Sequence, residues 1–518
     1  MEKVKSVSRV KNSAKNVCVT IFFMVITLLL TFFSRRIFIE SLGTDLVGLT
    51  ATIQNILGFL NIAELGIVSA VSATLYKPLY EEDRKRIDDI ISIFGYLYRI
   101  IGICIFVGGV ILACFLWVIF RDSGVSLKDV YFSYTVFLLT ALVGYFISYR
   151  QTLLDADQRQ YIIVVWTNLS QIGKLLLQIG LLKYFNGTYL GWLFIELVFG
   201  IIYGFWINRY VNRLYPWLHT SYRQGKRERK NYGSLFRTIK NVIPHKLGSF
   251  VLNQTGSVLV YAFANLSMVT VFTNYTLISN KVVQLVSIAF NGIGGSVGNL
   301  IAEGNRGKIM QVFWELQFFF FYLAAVLVVC FFYLVEPFIV LWLGNGFMLE
   351  KSAFYLLLLN MFIGIIRIPV GLYINGYALF RDVWAPICES IMNLTVAILC
   401  GYYYGITGVL AGATVSQIAM VVIWKPYFLY RAALGASVWN YWSGFAGYLG
   451  ILVITWLIIH ICKSSVLVPF ADWGCLLQNS VVLFGLTVVI YGGIGWIWGR
   501  GGRLVGLRLK SMLKAKTA

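Results

Sequence analysis

The chain has 518 residues, of which 59% are hydrophobic and only 13% charged, against about 25% charged in an average globular protein. Its 43 Lys and Arg outnumber 22 Asp and Glu, giving a formal net charge of +21. That balance would point to nucleic acid in a soluble protein, but apolar stretches fill this sequence and leave no room for a soluble domain, so a nucleic-acid partner is not expected.

A hydrocarbon core of roughly 30 Å is crossed by about 20 helical residues, and only helices or closed barrels satisfy their backbone there. The apolar stretches are continuous rather than alternating, which favours helices over a barrel. In chain order the predicted spans are 17–39, 46–75, 90–120, 130–149, 160–183, 188–208, 242–264, 270–298, 312–342, 353–379, 384–404, 406–429, 440–461 and 473–498. The first is too long for a secretory leader and lacks a small-residue cleavage site, so no cleaved leader is expected. The fold class is therefore an all-α polytopic membrane protein with about 14 transmembrane helices.

Placing the N-terminus in the cytoplasm, and assigning Arg35, Arg36, Lys183 and Lys425 at the ends of their spans to the adjoining side, gives the cytoplasmic loops and tails 31 of the 43 Lys and Arg, the opposite side 7, and the spans 5. This asymmetry is the positive-inside pattern, and it predicts two cytoplasmic termini. The densest basic segment, 209–240, includes Arg223, Lys226, Arg227, Arg229 and Lys230, and the tail adds Arg500, Arg503, Arg508, Lys510, Lys514 and Lys516. Both read as topology signals that also attract anionic headgroups of the bilayer.

Eight cysteines are scattered singly without a CxxC pair, and His219, His245 and His460 are too dispersed to bind a metal. The sequence contains no Walker A segment, catalytic triad or zinc motif. Phe290-Asn291-Gly292-Ile293-Gly294-Gly295-Ser296-Val297-Gly298 lies inside a span and lacks the lysine that ends a phosphate-binding loop. No enzyme activity, metal or cofactor is expected.

A shift of 225 residues lays parts of the chain on themselves. Lys15-Asn16-Val17 falls on Lys240-Asn241-Val242, Asp157 on Asp382, and Asn168-Leu169-Ser170 on Asn393-Leu394-Thr395. Six spans per repeat is an even number, so the halves should be parallel repeats about an axis along the membrane normal. The expected organisation is a six-helix lobe at 1–214, a basic linker at 215–241, a second six-helix lobe at 242–431, and two extra helices with a basic tail at 432–518.

Polar residues within spans are costly unless they face protein or water. At 100° per residue, Thr167, Gln171, Lys174 and Gln178 share a face of the fifth span, and Lys246, Ser249, Asn253 and Ser257 one of the seventh. The eighth aligns Thr273, Asn280, Gln284, Ser287 and Asn291 with Lys281 beside them. The second aligns Gln54, Asn61, Glu64 and Ser72, and the first Asn16, Thr20, Thr27, Thr31 and Ser34. Asn360, Gly364, Arg367 and Gly371 share a face of the tenth. Singly, such stripes glue helices together. Present in both halves with basic residues among them, they fit a wet cavity better. Lys174, Lys281 and Arg367 lie near the middle of their spans, where a cation costs about 2.5–3.5 kcal/mol on insertion scales, and are expected to be cavity charges. Lys246 and Arg99 sit nearer the cytoplasmic ends, where long side chains snorkel. Glu64 is expected to pair with a cavity lysine, or alternatively to carry a coupling cation. Glu196 and Glu389 read as closer to a helix edge.

Several short phrases are spread along the chain. The first half holds Leu42-Gly43 with Gly48-Leu49, Glu64-Leu65-Gly66-Ile67 and Leu75-Tyr76-Lys77-Pro78-Leu79. In the second half come Ser296-Val297-Gly298-Asn299, Glu336-Pro337-Phe338 before Leu341-Trp342-Leu343-Gly344, and Ala385-Pro386-Ile387 with Glu389 and Asn393-Leu394. Gly405-Ile406 and Lys425-Pro426 complete the series. In this order the phrases resemble the Wzx-type flippases, the polysaccharide-transporter branch of the multidrug/oligosaccharidyl-lipid/polysaccharide exporter superfamily. The resemblance implies two six-helix lobes around a central cavity, alternating access, and an undecaprenyl-pyrophosphate-linked oligosaccharide as cargo. It also implies the bacterial inner membrane, work alongside a polysaccharide polymerase and chain-length machinery, and a role in O-antigen or capsule synthesis. Cationic cavity residues would meet the pyrophosphate or acidic sugars. The drug-exporting branch commonly carries an acidic residue deep in its first span, where this chain has Thr27 and Thr31. A peptidoglycan-precursor flippase is the nearer alternative.

Overall fold

The computed structural model describes residues 2–60, 67–233, 235–236, 239, 254–290, 293–379, 381–382 and 384–506, with side chains from residue 18 onward except 69 and 73. Asn61, Glu64, Lys246, Ser249, Asn253 and Asn291 lie outside the described residues, as do Lys240-Asn241-Val242 and the tail beyond 506.

The described chain is helical, and it folds into two compact units, Met1–Thr273 and Asn274–Ala518. In the first unit the helices are α1 (Glu2–Leu42), α2 (Thr44–Leu60), α3 (Ile67–Glu81), α4 (Arg84–Ala113), α5 (Leu127–Phe146), α6 (Gln160–Tyr184), α7 (Tyr189–Leu214) and the short α8 (Tyr222–Glu228). A helix α9 (Leu266–Phe290) spans the boundary between the units, which falls inside the predicted eighth span. The second unit continues with α10 (Ile293–Ala302), α11 (Arg306–Leu343), α12 (Lys351–Ile366), α13 (Ile368–Gly376), α14 (Trp384–Gln417), α15 (Trp439–Val466) and α16 (Trp473–Trp498).

Among the described residues ten helices are long and apolar enough to cross a membrane, or eleven if α9 and α10, bent by 48°, form one span. The expected count of 14 differs for identifiable reasons. The second and seventh predicted spans run partly through undescribed residues. The eleventh and twelfth fall together in the continuous stretch Trp384–Leu434, 51 residues long. That stretch is too long for one crossing at 1.5 Å per residue, and it is broken at Gly405, with φ 54° and ψ −129°, inside α14. Only glycine adopts such a conformation without strain. After the turn, a Cβ at Gly412 would meet Ala397 Cβ and Asn393 O at 2.6 Å, and one at Gly408 would collide with the Cys400 backbone. The two arms therefore pack backbone to backbone.

The predicted third span, 90–120, is corrected at both ends. Asp83 caps α4 by accepting from Arg86 N at 3.1 Å, the helix starts at Arg84, six residues before the predicted span, and it stops at Ala113. From Ile100 to Phe120 the chain carries no charge, between Arg99 and Arg121. That length is about 31 Å if helical, close to the hydrocarbon thickness. The charged N-terminal part of α4 precedes that stretch.

The basic segment predicted as a linker forms a strap docked on the N-terminal part of α4. His219 N donates to Asp88 Oδ1 at 3.1 Å, Ser221 N to Ser92 Oγ at 3.2 Å and Gln224 Nε2 to Asp89 Oδ1 at 2.8 Å. Arg229 Nη1 donates to Tyr96 OH at 2.8 Å. A Cβ at Gly225 would run into Ser92 O, so glycine is what lets α8 approach α4. The strap still presents Arg223, Lys226, Arg227, Arg229 and Lys230 to solvent. The hydrogen bond from Arg227 holds the Glu228 carboxyl below its usual range.

In the tenth span the helix breaks between α12 and α13 at Arg367, just before Pro369. Proline has no N–H and crowds the preceding turn, so the ladder is interrupted there.

Candidate substrate site

Within the first unit, α1, α2, α6 and α7 surround a pocket of about 200 Å³. Gln171, Lys174 and Gln178 of the predicted stripe line it, with Gln54 of α2 and Thr31 and Ser34 of α1. Arg35 and Glu196, neither of them predicted as site residues, complete its charged lining. Lys174 Nζ lies 2.7 Å from Glu196 Oε1, and the two side chains are only 15% and 13% exposed. Gln178 Nε2 donates to Glu196 Oε2 at 3.2 Å and to Trp192 O at 3.3 Å. Lys174 is thus both a pocket charge and half of a buried ion pair, and its partner is Glu196. Arg35 donates to Thr273 Oγ1. α1 runs on to Leu42 and places Arg35 in the wall of the pocket.

Glu196 was legible in one signal. The pairs Lys174–Glu196 and Gln178–Trp192 are both centred on Phe185, the turn between α6 and α7. Antiparallel helices joined by a short loop meet at positions equidistant from the turn, so the partner of Lys174 follows from the loop position alone.

Other stripe residues bind helices to one another. Thr27 Oγ1 donates to Asn168 Oδ1 at 2.9 Å, joining α1 to α6, whereas Thr31 Oγ1 bonds back within α1 to Thr27 O at 2.7 Å. Ser72 turns away from the pocket and donates to Asp155 Oδ2 at 3.4 Å. In the second unit Asn360 accepts from Thr414 Oγ1 at 3.0 Å and from Gln417 Nε2 at 3.4 Å, holding α12 against α14.

The remaining predicted cations lie in the second unit. Lys281 Nζ donates to Gln284 Oε1 at 3.0 Å, and Asn280 is exposed beside them. Arg367 is exposed at the α12–α13 break and interacts electrostatically with Glu389 and Lys425. Glu389, 6% exposed, is buried rather than at a helix edge. Among the described residues no group of three or more His, Cys, Asp or Glu converges as a metal site would.

No protein-family model matches the sequence, and no curated protein does. Solved structures do match. An inward closed conformation of the lipid II flippase MurJ superposes with a TM-score of 0.66 over 92% of this chain and 99% of that one, at 15% identity. An inward-facing multidrug resistance MATE transporter of the MOP superfamily gives 0.61 over 81% and 99%, at 14% identity. The chain shares its fold with these structures. A MOP superfamily transporter from Pyrococcus furiosus, whose binding pocket is described as reversed in polarity, gives 0.55 over 82% and 97%, at 15% identity. These MOP-fold neighbours are transporters, not enzymes.

Proposed function

We propose that this protein is a flippase that carries an undecaprenyl-pyrophosphate-linked oligosaccharide across the bacterial inner membrane for surface polysaccharide synthesis. The observation that carries the reading is the pocket holding Lys174 and Arg35 among glutamines and hydroxyls, inside helices long enough to span a bilayer. A lipid-linked pyrophosphate needs compensation wherever it leaves water, and fixed cations in a polar pocket supply it. An oligosaccharide needs hydrogen-bonding walls, and Gln54, Gln171 and Gln178 are suited to that. Lys281 and Arg367 of the second unit take the same role there. The motif phrases of the Wzx-type flippases, spread along the chain, favour this cargo.

Both termini are proposed to be cytoplasmic, on the distribution of Lys and Arg. Parallel six-helix repeats at 1–214 and 242–431 are proposed as well. They are supported by matching local roles: Asp157, just before α6, accepts from Tyr215 OH at 2.6 Å, and Asp382, just before α14, from Trp424 Nε1 at 3.4 Å. Each aspartate ties the start of one span to the end of the next.

A peptidoglycan-precursor flippase is the second reading, favoured by the likeness to MurJ over 92% of the chain. Complementation separates the two. Rescue of a strain lacking its oligosaccharide flippase, with no rescue of one depleted of its lipid II flippase, is the expected result, and the reverse pattern would replace the first reading by the second. Gln at Lys174, Lys281 and Arg367 together should abolish export; normal export would exclude the cationic role.

A further inference from the structure

A second site lies on the outer surface of the first unit, away from the Lys174 pocket. Arg99, Ile100 and Ile103 of α4, Phe146 at the end of α5, and Tyr222 of the strap line a groove of about 360 Å³. Its walls are of two kinds. Ile103 is 56% exposed, Phe146 42% and Ile100 39%, a strip of apolar surface left open among the described residues. Above the strip stands the Arg99 guanidinium, 5.2 Å over the Tyr222 ring. Tyr222 is in turn in contact with Tyr96, ring centroids 5.2 Å apart and the planes tilted by 43°, so a second ring backs the one under the arginine.

The depth of this arrangement decides what it suits. Arg99 is the last charge before the uncharged stretch that ends at Phe120, so it sits where the hydrocarbon layer begins. The apolar strip descends into that layer, and the strap adds exposed Arg223, Lys226 and Arg227 on the wet side. Cations at headgroup height over an apolar furrow are complementary to a lipid with a negative head. We infer that this groove binds an anionic phospholipid of the strap-side leaflet, its phosphate on Arg99 and one acyl chain along Ile100, Ile103 and Phe146. The inference rests on the membrane-spanning reading and requires nothing of the cargo. Its consequence is that the lipid ties α4, α5 and the strap together from outside, so strap docking depends on the composition of the leaflet.

Native mass spectrometry of the full chain in neutral detergent tests this, with phosphatidylglycerol, phosphatidylcholine of the same chains, and glycerol phosphate as probes. A surface cation is worth about 1 kcal/mol toward an anionic lipid, so phosphatidylglycerol should be retained about fivefold over phosphatidylcholine. Arg99→Gln should reduce that preference to less than about twofold, and Arg99→Lys should keep most of it. Ile103→Trp, which fills the furrow, should lower retention of both lipids. A preference unchanged in Arg99→Gln would overturn the proposal. So would glycerol phosphate displacing the lipid at equal concentration, since the site would then be an anion site without a furrow. Because no transport is measured, a negative result here leaves the flippase reading standing, and failed complementation leaves the lipid groove standing.

Discussion

Lys174 on α6 and Glu196 on α7 form a 2.7 Å ion pair inside the first unit, and Gln178 holds the second carboxylate oxygen. A buried pair is costly to assemble, but breaking it from one side is worse, because about 3–5 kcal/mol is lost when one charge is left uncompensated. Lys174→Gln should therefore lower both thermal stability and transport. Lys174→Gln with Glu196→Gln should recover most of the stability and none of the transport. Lys174→Arg should keep more transport than Lys174→Gln, although the geometries differ. A thermal-shift cycle over the four combinations measures the coupling; simple additivity would mean that the pair is not formed in the membrane.

The hairpin inside α14 makes a sharper demand on side-chain size. Gly412→Ala places a methyl where Ala397 and Asn393 O already sit, and overpacking of this kind costs about 1–3 kcal/mol. A lower unfolding midpoint is expected with unchanged membrane insertion, read from purified protein and from membrane fractions respectively. Gly447→Ala, which meets nothing within 4 Å on its helix, serves as the neutral control.

The strap should lift when its close approach is blocked. Gly225→Ala sets a methyl against Ser92 O, and a local cost of about 1–3 kcal/mol raises the open population at least about fivefold. Limited trypsin cleavage at Lys226 and Arg227, in vesicles with that face exposed, should accelerate by the same factor. An unchanged cleavage rate would mean that the strap is not docked in the membrane-bound protein.

Orientation is open to direct measurement. Reporter fusions after Lys128 and Lys351 should read as external, and one after Lys230 as cytoplasmic, as the positive-inside pattern requires. A cytoplasmic signal at Lys351 would show that the expected span count is wrong before that point.

Hydropathy made the helical, membrane-spanning class legible, because a bilayer crossing imposes its own length on the sequence. It placed the turn at Gly405 between two spans, since a single glycine there interrupts an apolar run of double length. It could not show that α4 starts at Arg84 and carries the docked strap on its first turns, because a hydropathy average is blind to which turns of a helix are covered by protein. The angular argument brought Gln171, Lys174 and Gln178 to one pocket but missed Glu196 and Arg35. Angular clustering sees one helix at a time, whereas counter-ions come from its neighbours. For the same reason Asn360 looked like part of a cavity wall and is bound to Thr414 and Gln417 on the facing helix. The basic segment 209–240 read as a linker and topology signal, and charge alone does not reveal that Asp88, Asp89 and Ser92 bind part of it on α4.

The reversal at Gly405 leaves almost no chain between its two arms. With their backbones in contact at Gly408 and Gly412, neither arm can slide along the other without reopening the turn. Conformational change should carry the pair as one rigid body, hinged at its far ends. An epitope tag inserted at position 405 would separate the arms rather than decorate a loop, so labels meant to follow motion belong elsewhere.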